Sequence, residues 1–216
     1  MTRGRFVVFE GGEGAGKSTQ ARLLAEALRG EGIDVLLTRE PGGTPGAEAI
    51  RQLLLAPPGP ELHGGWPASA EAMLFAAARA DHVARAIRPA LEAGRWVVSD
   101  RFLDSSRAYQ GGGGGVPDED ILSLHRIGSG GLLPDLTILV EVDPGEVAAR
   151  LARRDGGDSD AIGGRGAAYH ADVAAAFARF AEAEPERFVR IEGNGAIEET
   201  HQRILEAVAR LRRGGR

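Results

Sequence analysis

One lysine stands in this chain among 26 lysines and arginines, and it lies in the run Gly-Gly-Glu-Gly-Ala-Gly-Lys-Ser-Thr, residues 11–19. Gly11, Gly16, Lys17 and Ser18 fit the pattern G-x-x-x-x-G-K-[ST], with the apolar strand pattern RFVVFE (5–10) before it and a helical pattern after it. In that setting the glycines let consecutive backbone N–H groups turn inward, and these join the helix N-terminus in an anion site. The run Gly11, Gly12, Glu13, Gly14, Ala15, Gly16, Lys17, Ser18 and Thr19 therefore reads as a loop around the phosphates of a nucleoside triphosphate. Ser18 offers its hydroxyl to Mg²⁺, and Lys17 reaches the β- and γ-phosphates. A compact ammonium on a flexible stem enters such a loop as a point charge, which a planar guanidinium cannot do.

A second chemical signal closes the apolar stretch RWVVSD (95–100), where Asp100 precedes Arg101. An Asp-Arg pair at a strand end suits a helix cap with a surface ion pair. Beside a phosphate loop it also suits a carboxylate that holds Mg²⁺ through water and an arginine that clamps phosphates.

The elements that must position these groups alternate. Five β-rich runs, 5–10, 33–38, 95–100, 136–142 and 187–192, are separated by amphipathic helical patterns at 17–32, 46–56, 69–94, 118–128, 145–154 and 167–185, with a last one at 196–213. That order predicts an α/β fold, a parallel five-stranded sheet covered on both faces, with ligands at the C-terminal ends of its strands. A length of 216 residues suits a single domain. Three stretches break the alternation. Residues 57–67 read as a loop, and the five glycines 111–115 as a flexible spacer. Residues 155–166, polar and glycine-rich, suit either a linker or a mobile lid over an active site.

With no cysteine, disulfides and cysteine-based zinc sites are excluded. The apolar stretch at the start is too short for a signal peptide, and no segment approaches a membrane span, which points to a cytoplasmic protein without a membrane partner. A net charge of −5 argues against a nucleic-acid partner while leaving room for a local cationic pocket.

FEGGEGAGKST, TREPGGT (38–44), MLFAAAR (73–79) and DRFLDSSRAYQG (100–111) together resemble the bacterial thymidylate kinases, with LLPDLTILVEVDP (132–144) as a weaker match. The resemblance covers nearly the whole chain. It implies a three-layer P-loop kinase fold with a short lid, transfer of the ATP γ-phosphate to dTMP with Mg²⁺, and a homodimer formed through long helices including 69–92. It also implies roles for individual residues. Phe75 stacks on thymine, Arg79 one turn later hydrogen-bonds the base, and Glu13 contacts the sugar 3′-hydroxyl. Arg39 and Arg101 bind the dTMP phosphate region, Arg51 is a further candidate there, and Pro41 packs near the nucleoside. Ser105, Tyr109 and Gln110 line the nucleoside pocket, Tyr109 leaving no room for a ribose 2′-hydroxyl.

The lid departs from the family pattern. Members with glycine at the position of Gly14 place a catalytic arginine directly after an aspartate of the lid, followed two residues on by glutamate. Here Ala161 follows Asp160, and Gly163 stands at the glutamate's place. Arg150, Arg153, Arg154 and Arg165 are the candidates, with Arg154 and Arg165 ahead. A kinase for another nucleoside monophosphate or small metabolite, and a nucleotide-dependent switch, are the competing readings. A substrate panel separates them.

Overall fold

The structure is a computed structural model that describes residues 3–56, 65–155 and 162–213, without the side chains of 151–155 and 213. Its centre is β1 (Phe6–Glu10), in which every residue is buried. A strand covered on both faces has no wet side, which is why FVVF shows no polar alternation. Around it stand β2 (Val35–Arg39), β3 (Trp96–Asp100), β4 (Leu136–Glu141) and β5 (Phe188–Glu192). The sheet is wholly parallel, in the order β2-β3-β1-β4-β5. The five strands fall where the sequence places them, within two residues at each end.

The crossovers are helical. They comprise α1 (Lys17–Gly30), α2 (Pro45–Leu55), α3 (Ala68–His82), α4 (Arg88–Glu92), α5 (Leu103–Ser106), α6 (Asp118–Ser129), α7 (Pro144–Asp155), α8 (Ala167–Ala183) and α9 (Ile197–Arg213). Pro45 opens α2 where its missing N–H costs nothing, and Thr44 caps that helix by accepting from the Ala47 amide at 3.3 Å. A π-helical turn, Val83–Ile87, joins α3 to α4, so the long pattern at 69–94 is one continuous rod.

Alternate strand residues feed two cores. Val7, Phe9, Ile138 and Val140 pack with Leu24 and Leu28 of α1 and Ile204 and Val208 of α9. Phe6, Val8 and Val97 pack on the other face with Ile87, Leu91, Phe102 and Ile121. Phe6 and Phe102 meet edge to face at 4.9 Å, a geometry the ring quadrupoles favour. A third cluster under α8 gathers Tyr109, Leu139, Val173 and Phe177, and it includes Ile162.

One expectation changes. The stretch after Asp100 is helical, α5 running into a second π-helical segment, Arg107–Gly113. The glycine run is therefore no loose spacer. A Cβ on Gly112 would lie 2.6 Å from that of Ala176, and one on Gly113 would lie 2.5 Å from the Tyr169 ring. Glycine is present there because α8 approaches closely, and this face of α8 packs on the segment. Of the expected loop at 57–67, residues 57–64 lie outside the described residues.

Candidate active site

The phosphate loop leaves the C-terminal end of β1 and enters α1 at Lys17. Gly11, at φ 133°, passes so near β4 that a Cβ there would meet the Val140 carbonyl oxygen at 2.4 Å. No other residue fits this turn. Lys17 is buried, and its ammonium donates back to the Gly12 carbonyl. Burial first, then the neighbouring Arg101, pull its pKa down from the ordinary lysine value to about 7. Ser18, Thr19 and Gln20 continue the first turn of α1, with Gln20 donating to the Ile197 carbonyl at 2.9 Å.

Ser18 Oγ donates to Asp100 Oδ2 in a short contact. The register of β1 and β3 makes this possible, since Phe9 lies opposite Asp100. Asp100 Oδ1 is buried without a hydrogen-bond partner. A hydroxyl beside a carboxylate with one unsatisfied oxygen is the donor set of a hard cation. These residues fit Mg²⁺. Among the described residues no group of three or more acidic or histidine side chains could hold a metal ion by itself, so an ion here would need further ligands from phosphate and water.

Arg101 follows with φ 72°, a left-handed conformation that costs a non-glycine residue about 1–2 kcal/mol. The strain aims its guanidinium inward. Nη1 donates to the Gly11 carbonyl and to Ser105 Oγ, both at 3.1 Å, and Nη2 donates to the Tyr109 hydroxyl at 3.2 Å. Burial opposes its charge, while Tyr109, Asp100 and Glu10 more than offset that and hold the arginine firmly protonated. Glu10, the last residue of β1 and wholly buried, organises the turn from below. Its carboxyl accepts from the Phe102 and Ser105 amides at 2.9 and 3.0 Å and from Ser105 Oγ at 2.6 Å. Burial, aided by Asp104, pushes its pKa up to about 7.

A cavity of about 250 Å³ opens beside these groups. Its wall brings together Glu13, Ser18, Arg39, Pro41, Arg51, Phe75, Asp100, Arg101, Ser105, Tyr109 and Gln110, all named from sequence. Glu40, Leu55 and Ile162 complete it and were not named. Arg39 pairs with Glu48 at 3.2 Å, and Arg51 donates to the Pro41 carbonyl at 2.7 Å.

Arg79 does not line the cavity. It is buried behind Glu40, donating through Nε to that carboxylate at 2.8 Å and through Nη2 to Ser106 Oγ at 2.7 Å and the Phe102 carbonyl at 3.2 Å. His82 joins the same carboxylate at 3.1 Å. Glu40 is thus a wall residue with Arg79 and His82 buried behind it. Its position between TR and PGG was the available signal, since an acid beside a proline turn has no capping role.

Arg154's side chain lies outside the described residues, as do residues 156–161 of the lid. Arg165 is committed to an ion pair with the buried Glu71, and its Nη1 donates to the Tyr169 hydroxyl at 2.8 Å. Arg150 instead stands over the phosphate loop, with Nη1 3.7 Å from where a Cβ of Gly16 would sit. It is oriented by Glu146 at 2.8 Å and the Gly193 carbonyl at 2.8 Å. The lid also carries more apolar anchorage than its composition suggests. Ile162 is 6% exposed in the cluster under α8, and Gly163 lies against the Glu13 carboxylate.

Strand, loop, acid and cavity agree with a comparison against known proteins. The family model described as thymidylate kinase matches residues 9–204. This chain belongs to the thymidylate kinase family. It is similar to the thymidylate kinase of Rhizorhabdus wittichii, 56% identical over 96% of this chain and 98% of that protein. It is also similar to the thymidylate kinase of Rhodopseudomonas palustris, 50% identical over 97% of this chain and 90% of that protein. A crystal structure of the Ehrlichia chaffeensis thymidylate kinase superposes with a TM-score of 0.74 at 32% identity, covering 96% of this chain and 99% of that one. Thymidylate kinases are nucleoside monophosphate kinases, and the family's reaction is ATP-dependent phosphorylation of dTMP to dTDP. Among the described residues no helix is long and apolar enough to cross a membrane.

Proposed function

We propose that this thymidylate kinase family member binds ATP at the phosphate loop and dTMP in the adjoining cavity, and moves the γ-phosphate between them. One observation carries the reading: Ser18 and Asp100 line the same cavity as Phe75, Tyr109 and Gln110. A metal-bound triphosphate and a stacked nucleotide would then share one wall, which is what in-line transfer between two polyanions requires.

Lys17 and the loop amides hold the β- and γ-phosphates, and Arg101 faces the transferring group from the turn that Glu10 supports. Ser18 and Asp100 would hold Mg²⁺, which would neutralise phosphate charge when bound. Arg39 and Arg51 take the acceptor phosphate. Phe75 stacks on the base, Pro41 packs beside the nucleoside, Tyr109 fills the space of a 2′-hydroxyl, and Glu13 and Ser105 serve the sugar side. Arg79 acts from behind the wall, holding Glu40, Ser106 and the Phe102 carbonyl in place beside the base site. The arginine expected from the lid is assigned to Arg150, because it stands over the loop while Arg165 is paired with Glu71. The acceptor phosphate is ionised at neutral pH, so no general base is needed. Ile162 and Gly163 help exclude water, which would otherwise compete as acceptor.

The chain is read as a single catalytic domain acting in the cytoplasm. Exposed Met73 on α3 and Leu122 and Ile127 on α6, two helices packed on each other, support a homodimer through that face. A coupled ADP-release assay over a panel of nucleoside monophosphates tests the assignment. The expected result is fastest turnover with dTMP. A faster alternative acceptor would make this another nucleotide kinase, and ATP hydrolysis indifferent to every acceptor would make it a switch.

A further inference from the structure

Glu71, in the first turn of α3 and 4% exposed, is a buried carboxylate with two partners from distant parts of the chain. Its Oε1 accepts from Gln110 Nε2 at 2.8 Å, and its Oε2 accepts from Arg165 Nη2. Arg165 lies over the Tyr169 ring at 4.8 Å, and the Tyr169 hydroxyl donates to the Tyr109 carbonyl at 2.8 Å. Tyr109 and Gln110 both line the cavity, and Phe75 lies one turn from Glu71 on the same helix.

An ionised carboxylate only accepts hydrogen bonds. The Gln110 amide nitrogen must therefore face Glu71, and its oxygen must face away. That oxygen, Oε1, is buried and has no partner. Gln110 lines the cavity, so this oxygen is the acceptor that residue has left for a bound group. Arg165 donates to the other oxygen of the same carboxylate, so both of its oxygens are engaged as acceptors.

We infer that Glu71 is a positioning residue that fixes Gln110 as an acceptor toward the bound base, selecting a pyrimidine that brings a ring N–H over one that brings a bare ring nitrogen. The inference rests on the cavity being the acceptor-nucleotide site. Thymine and uracil carry hydrogen on N3, whereas cytosine N3 is itself an acceptor and would leave two lone pairs facing each other. A site whose buried polar group goes unpaired rejects the wrong ligand strongly. The same carboxylate holds residues 162–169 by way of Arg165, so base selection and the seating of Ile162 over the cavity share one anchor.

The test measures dissociation constants of dTMP, dCMP and N3-methyl-dTMP by calorimetry on wild type, Glu71→Gln, Gln110→Ala and the double variant, with melting temperatures as a check on folding. In wild type, N3-methyl-dTMP should bind about tenfold or more weakly than dTMP. In Glu71→Gln the Gln110 amide is free to turn, and the preference for dTMP over dCMP should shrink by about tenfold. The double variant should lose no more preference than Gln110→Ala, because Glu71 acts through Gln110. Undiminished preference in Glu71→Gln, or losses that multiply in the double variant, would overturn the inference. Should Glu71→Gln not fold, the methylated nucleotide decides on wild type and Gln110→Ala: equal affinity for dTMP and N3-methyl-dTMP in wild type defeats it. If wild type phosphorylates another monophosphate in preference to dTMP, it is the substrate assignment that has failed.

Discussion

The two halves of the site are built in opposite ways. The donor half is contiguous: a strand, six loop residues and a helix N-terminus present backbone amides, Lys17 and Ser18 within one short run. The acceptor half is assembled from α2, α3, the 101–110 turn and the segment before α8, and its internal bonds join residues as far apart as Glu71 and Arg165, 94 positions along the chain. A contiguous site depends on a few backbone conformations. An assembled one depends on the packing of whole helices, so the two should fail differently.

The sharpest break is at Lys17. Lys17→Ala should lower kcat by at least about 10²-fold while the melting temperature stays near wild type, because the glycines set the loop. Lys17→Arg should be severely impaired as well, since the guanidinium does not fit where a buried ammonium bends back to the Gly12 carbonyl. Wild-type-like turnover in the arginine variant would show that charge alone suffices.

The next effect is one of protonation. With its pKa near 7 in the free protein, the Lys17 amine is largely neutral at pH 8. A bound triphosphate favours the ammonium and raises that pKa. Nucleotide binding above pH 7 should therefore take up a proton, and ATP affinity should fall by up to about tenfold per pH unit as pH rises from 7 toward the bound-state value. Calorimetry at pH 8 in buffers of different ionisation enthalpy reads the proton count. A count of zero would contradict a depressed Lys17 pKa.

The smallest effect separates the halves from the acceptor side. Gly112→Val should force α8 away from the 107–113 segment and cost about 1–3 kcal/mol of stability. For a chain of this size that lowers the melting temperature by a few degrees or more. Acceptor KM should rise while ATP KM stays within about twofold. A matching rise in both would mean that the halves are coupled through the sheet.

The same contrast explains what the sequence made legible. The phosphate loop, Asp100 and the five strands could be read because their signals are local: glycine spacing, apolar runs and an acid at a strand end. Phe75, Tyr109 and Gln110 came from resemblance, and the structure gathers them around one cavity. What escaped depends on which surfaces meet. Glycines 111–115 read as chain entropy, yet at Gly112 and Gly113 α8 comes too near for a side chain. Arg165 was favoured for its place in the lid, but a buried carboxylate on α3 claims it. Arg150 was one of four candidates because helix phase alone does not show which arginine overhangs the loop. Glu10 was hidden as the last letter of a strand, though an acid ending an otherwise apolar β1 was a signal in itself.

The strand pairing also acts as a vernier scale. Ser18 and Asp100 arrive by separate routes, one along β1 and around the loop, the other along β3. Only the alignment of Phe9 with Asp100, locked by the Arg101 amide donating to the Phe9 carbonyl at 2.9 Å, brings them level. A slip of one residue is about 3.3 Å and turns the side chain to the opposite face. A single notch of misalignment would therefore carry the Asp100 carboxylate away from the Ser18 hydroxyl, and the meeting of those two groups becomes a gauge of whether the centre of the sheet has zipped in true register.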